Sequence, residues 1–140
     1  MMEQTNTFPP SDLGKLVLRL AVGGILFLHG LGKMEAGMAG TVELVQNNGF
    51  PGWWAYGTYA GEVLAPLLMM LGKFTRPAGW IVAFNMLMSI IIAHRDIAFQ
   101  RNDFGGWMIE LNALILLGGV AVALLGAGKF SLSKGQGRWD

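Results

Sequence analysis

Trp107 to Ala127 reads WMIELNALILLGGVAVALLGA. After Glu110 and Asn112 it holds no polar side chain for fifteen residues, which is a lipid-facing pattern and not a soluble one. A hydrocarbon core of roughly 30 Å needs about 20 apolar residues, and three further stretches come close. They are Leu13 to Gly32, Trp54 to Gly72, and Pro77 to Ala93, the last closed by His94, Arg95 and Asp96. None shows the ten-residue alternation of a membrane barrel, so helices are expected. The fold class is therefore an all-α membrane protein with four transmembrane helices in a bundle. Composition agrees: mean hydropathy is +0.47, 53% of the 140 residues are hydrophobic and only 14% are charged, against about a quarter charged in soluble domains.

Even numbers of spans put both ends on one side, and the basic residues choose which. Lys15, Arg19, Lys73, Arg76, Lys129, Lys134 and Arg138 fall at the termini and the second-to-third turn; Lys33, Arg95 and Arg101 fall opposite. The excess predicts cytoplasmic termini. Residues 1–12 are then a cytoplasmic N-terminal tail, 13–128 the four-helix transmembrane domain, and 129–140 a cytoplasmic C-terminal tail. Trp53, Trp54 and Trp107 are expected at the outer interface and Trp80 near the inner one. A cleaved signal peptide fits the first segment poorly: its apolar run is too long and interrupted, and Glu3 and Asp12 spoil a basic leader. Between Lys33 and Trp53, Met38, Val42 and Val45 keep helical spacing until Asn47-Asn48-Gly49-Phe50-Pro51 breaks it, predicting a short interfacial helix.

Charged groups inside a membrane cost about 2.5–3.5 kcal/mol at mid-depth, so each needs a partner, a wet cavity or a function. Glu62 lies about 12 Å from the outer end of the second span. His29 and Glu110 lie about one turn from the outer ends of their spans, and His94 caps the third. Lys15, Arg19, His29 and Lys33 share about an 80° arc of the first helix. Asn85, Ser89 and Asp96 share a side of the third, whereas His94 is turned about 180° from Asn85 and is expected at a rim or loop. Glu110 and Asn112 diverge, so only one can face a common partner. The candidate ligand-binding or proton-handling residues are Glu62, His29, Arg19, Glu110 and Asn85. Glu62 also has a structural reading, as a carboxylate paired with His29 or Arg19. Lys15 and Arg19 could snorkel, and Glu110 beside Trp107 could be interfacial only. Gly23-Gly24, Gly30 with Gly32, and Gly118-Gly119 read as close helix approaches.

Other chemistries are excluded or disfavoured. The absence of cysteine removes disulfides, thiolate metal sites and dithiol exchange from this chain's own repertoire. The methionines lack the repeated His or Cys a copper site wants, so no metal site is expected. Bis-histidine haem through His29 and His94 is opposed by the direction of His94. A net charge of +1 does not suit nucleic acid, and no nucleotide loop, zinc-protease helix or nucleophile elbow is present.

Leu16-Val17-Leu18-Arg19-Leu20 through Phe27-Leu28-His29-Gly30-Leu31-Gly32-Lys33 resembles the opening helix of the DoxX family of small bacterial membrane proteins. Gly49-Phe50-Pro51, Ala60-Gly61-Glu62-Val63 and the turn Leu71-Gly72-Lys73-Phe74-Thr75-Arg76-Pro77-Ala78 continue the resemblance. Glu110-Leu111-Asn112 and Gly126-Ala127-Gly128-Lys129-Phe130-Ser131-Leu132 resemble its last span and tail, although Ala127 and Ser133 stand where a proline and an acidic residue are common. The resemblance implies a multi-pass protein of the bacterial inner membrane. Some relatives are linked to thiosulfate oxidation with quinone as acceptor, others to complexes handling oxidative or thiol stress. With no intrinsic cofactor, the chain is expected to be at most an accessory subunit of a membrane oxidoreductase. It would bind a quinone or small substrate in the outer half of the bundle, with Glu62 exchanging protons, His29 as its hydrogen-bond partner and Arg19 fixing charge deeper. Expected partners are the lipid bilayer, membrane or soluble redox proteins, and further copies of the chain. A small-solute transporter and a non-catalytic assembly protein are the alternatives.

Overall fold

The computed structural model describes residues 9–140. Residues 1–8, with Glu3 and most of the proposed N-terminal tail, lie outside the described residues. Among the described residues there are five helices and no strand, only one isolated bridge between Arg101 and Trp107. Helix α1 (Pro10–Ala36) opens with proline in its first turn and Asp12 near its positive end, and stops at Gly37, whose φ of 81° leaves the helical region. A short helix, α2 (Ala39–Asn47), forms where one is expected between Lys33 and Trp53. A 3₁₀ turn, Gly52–Tyr56, leads into α3 (57–71), then follow α4 (Thr75–Ala93) and α5 (Glu110–Leu125).

Two of the expected spans differ from the sequence reading. The second is not one regular helix from Trp54: it starts as the 3₁₀ turn and carries a π segment, Ala60–Leu64, in which the Ala65 N–H bonds the Ala60 carbonyl five residues back. Pro66 has no N–H to offer the Glu62 carbonyl four residues earlier, so regular α-helix cannot run through this point. The fourth span begins only at Glu110. Trp107 and Met108 are held in the preceding loop, by a bond from the Trp107 indole to the Ala98 carbonyl at 2.5 Å and from the Met108 N–H to the Gln100 carbonyl at 3.0 Å. Gly126, with φ of 75°, ends it. On length and apolarity α1 and α4 are each able to cross a membrane; α5 is a shorter apolar helix.

The most extensive packing is α4 on α5, with α1 against α3 next. A Cβ on Gly79 would lie 2.6 Å from the Gly119 carbonyl, and one on Gly119 would lie 2.9 Å from the Gly79 carbonyl, so α4 and α5 meet backbone to backbone. One apolar core joins Val22 and Leu26 of α1, Ala65 and Met69 of α3, Val82 and Met86 of α4, and Ile115 and Val122 of α5. A satellite cluster of Met38, Val45 and Ala55 packs with Phe50, Tyr59 and Ile92, fixing α2 and the 3₁₀ turn against the end of α4. Bulky apolar side chains such as Val17, Leu28, Phe84, Leu114 and Leu117 point outward and are more than half exposed. That surface is too apolar for a monomer in water and suits hydrocarbon.

Candidate functional site

Glu62 sits inside the π segment of α3 and is 2% exposed. Its Oε1 accepts a bond from Lys33 Nζ at 2.6 Å and another from Asn85 Nδ2 at 3.3 Å. Its Oε2 is buried with no hydrogen-bond partner among the described residues. Three helices therefore meet at one carboxylate: Lys33 from the last turn of α1, Glu62 from α3 and Asn85 from α4. Two glycines make the approach possible. A Cβ at Gly30 would lie 2.4 Å from the Glu62 carbonyl, and one at Gly61 would lie 2.4 Å from the Asn85 side chain.

Beside this cluster lies a cavity of about 540 Å³, within the usual 300–1,000 Å³ of small-molecule sites. Glu62, Asn85 and Lys33 line one part of it, Trp53 and Trp54 another, and Ser89 and His94 a third. Ile81 and Phe84, also in its lining, are exposed on the outer apolar surface of α4. Part of its lining therefore belongs to the apolar outer surface of the bundle. Its walls are mostly apolar with a few convergent polar groups, the usual make-up of a small-ligand site.

The sequence-derived candidates separate into four places. Glu62 and Asn85 come together in the cavity. His29 does not join them: it is exposed, and its Nδ1 pairs with the Ile25 carbonyl of its own helix at 3.0 Å. The buried stripe of α1 runs through Arg19, Leu26 and Gly30, and His29 stands at the edge of the polar arc, about 80° from Arg19. The expected Glu62–His29 pair is therefore replaced by Glu62–Lys33. Arg19 is fully buried, but away from Glu62. It donates to the Met69 carbonyl at 2.9 Å and the Met70 carbonyl at 3.2 Å, and also to the Phe130 carbonyl. Those helix carbonyls lie about 10 Å further along α3 than Glu62, so Arg19 ties the end of α3 to the C-terminal segment. Glu110 is exposed in the first turn of α5, beside Gly106. Asn112 faces the bundle and bonds Ser89 Oγ at 3.5 Å, which settles the divergence of those two residues in favour of Asn112.

Two residues of the site escaped the sequence reading. Lys33 falls on the polar arc, but nothing local in the sequence shows that its side chain reaches α3. His94 was directed to a rim by helical periodicity, yet the helix ends at Ala93 and His94 takes φ of −127°. Its ring folds back so that Nδ1 meets the Ser89 carbonyl at 3.1 Å, and it lines the cavity.

Comparison with known proteins agrees with a membrane location. The DoxX family model matches residues 14–95, which include Lys33, Glu62, Asn85 and His94. The chain belongs to the DoxX family. It is 33% identical over 116 residues to "Putative oxidoreductase CatD" of Bacillus subtilis, covering 83% of this chain and 81% of that one. It is 31% identical over 123 residues to "Inner membrane protein YphA" of Escherichia coli, covering 85% and 87%. No solved structure matches. This DoxX-family chain is a membrane protein, and its paired carboxylate and cavity are the features through which a function has to be read.

Proposed function

We propose that this chain is a four-span inner-membrane protein with both termini in the cytoplasm, and that it binds a quinone in the outer half of the bundle as part of a redox system. The observation carrying the ligand reading is Glu62: a buried carboxylate with one oxygen held by Lys33 and Asn85 and the other unpartnered, lining a mostly apolar cavity. An unpaired buried acceptor costs about 1–3 kcal/mol. A ligand that donates a hydrogen bond to Oε2 would remove that cost, and a flat apolar ring suits the Trp54 and Ile92 walls.

The exposed apolar lining at Ile81 and Phe84 favours a membrane-dissolved ligand over a water-borne one, since an isoprenoid tail can stay in lipid while the head group enters. Glu62 then serves as the proton-exchanging group at a quinone oxygen, Asn85 orients it, and Lys33 holds its charge. The chain has no cysteine, so thiol redox chemistry in this system falls to a partner, and we assign the chain an accessory role. The name of the Bacillus subtilis relative supports a redox association.

The test is binding. Detergent-purified protein is expected to retain quinone through purification, and Glu62→Gln to weaken its affinity about three- to tenfold. Protein free of quinone that also fails to bind added decylubiquinone would refute the reading.

A further inference from the structure

The cavity's polar groups divide by what they can still do. Lys33 and Asn85 each donate to Glu62 Oε1, and the Lys33 side chain is 37% exposed. Thr58 donates its hydroxyl to the Ala55 carbonyl. The hydroxyls of Thr41 and Ser89 serve either polarity and do not discriminate. Trp53 and Trp54 bring donor-only indole N–H groups to another part of the lining; on the side formed by α3 and the end of α4, two acceptors of fixed polarity are left. One is Glu62 Oε2. The other is on His94: a carbonyl only accepts, so the Nδ1 that meets the Ser89 carbonyl carries the hydrogen, and in the neutral ring Nε2 is left as an acceptor.

We propose that His94 is the second ligand contact of this cavity, and that His94 Nε2 and Glu62 together select a ligand donating hydrogen bonds at both ends, namely the dihydroxy (reduced) form of a quinone. This rests on the quinone reading above and adds the redox state to it. Dimensions agree. Asn85, which touches Glu62, and His94 are separated by about 13 Å of helix rise, and the ring folds back toward Ser89. A six-membered ring with hydroxyls on opposite edges spans roughly 11 Å from acceptor to acceptor, with hydrogen bonds of about 2.8 Å. The oxidised form carries two carbonyl oxygens, which only accept; placed in the same position it would set oxygen against both Glu62 Oε2 and His94 Nε2.

Trp53 and Trp54 line the cavity and give an intrinsic fluorescence signal for titrating the full chain in detergent with decylubiquinol and with decylubiquinone. The reduced form is expected to bind about tenfold more tightly, one net hydrogen bond's worth. The bound couple then has a midpoint potential about 30 mV above the free one. His94→Phe should lower affinity for the reduced form about tenfold and leave the oxidised form within about twofold. Equal or tighter binding of decylubiquinone by the wild type overturns the inference while leaving the quinone reading standing. So does a His94→Phe protein that melts like the wild type and keeps its preference. Should His94→Phe fail to fold, the wild-type ratio decides, along with His94→Gln, whose amide offers a donor as well as an acceptor and should narrow it. If neither form binds, the quinone reading falls and this inference with it.

Discussion

Replacing Lys33 by methionine removes the cation from Glu62 while keeping most of the aliphatic stem. Glu62 is 3% exposed at its side chain and Lys33 is 37% exposed, so the two partners do not suffer equally when separated. An orphaned buried ion costs about 3–5 kcal/mol, whereas a surface pair is worth about 0–1 kcal/mol. Water reaching the Lys33 end discounts the first figure, and we expect Lys33→Met to destabilise the protein by about 1–3 kcal/mol. Glu62→Gln leaves an amide that still accepts from Asn85, and frees a lysine that can swing into water, so its cost should stay below about 1 kcal/mol. The double variant should recover most of the Lys33→Met loss, because the uncompensated charge is gone. Equilibrium unfolding of all four proteins in the same detergent measures the cycle. If Lys33→Met is as stable as wild type, or if Glu62→Gln costs more than Lys33→Met, the cavity does not hold an ionised carboxylate kept there by Lys33, and the reasoning fails.

Two other expectations follow from packing and topology. Gly30→Leu should destabilise by at least about 1–3 kcal/mol, because even its Cβ would meet the Glu62 carbonyl at 2.4 Å, whereas Gly24→Ala, facing open space, should be neutral; similar melting of the two variants would contradict the α1–α3 approach. Because the chain lacks cysteine, single substitutions Ser133→Cys and Asp103→Cys report topology directly: in spheroplasts an impermeant maleimide should label position 103 and not 133, and the reverse pattern would invert the proposed orientation.

Much of this protein is legible in its sequence. Hydropathy alone separated four apolar segments, since the cost of putting backbone and charge in hydrocarbon leaves few alternatives to apolar helix. Periodicity marked Met38, Val42 and Val45 as an amphipathic turn, and α2 lies there. The cost of burying charge singled out Glu62 and Arg19, both of which are buried. What the linear pattern could not decide was who meets whom. A helical wheel fixes direction around one axis and says nothing of the neighbour's position, so it cannot show that Lys33, and not the expected His29, reaches Glu62. Packing α1 on α3 through Gly30 turned Lys33 inward and left His29 outside. Wheel geometry also lapses where a helix ends, which is why His94 enters the cavity against its predicted direction. The π segment preceding Pro66 sets Glu62 off the regular α-helical lattice. The presence of a buried acid was thus fixed by composition and solvent; its partners and its cavity were fixed by how three helices, two of them approaching over glycine, fit together in space.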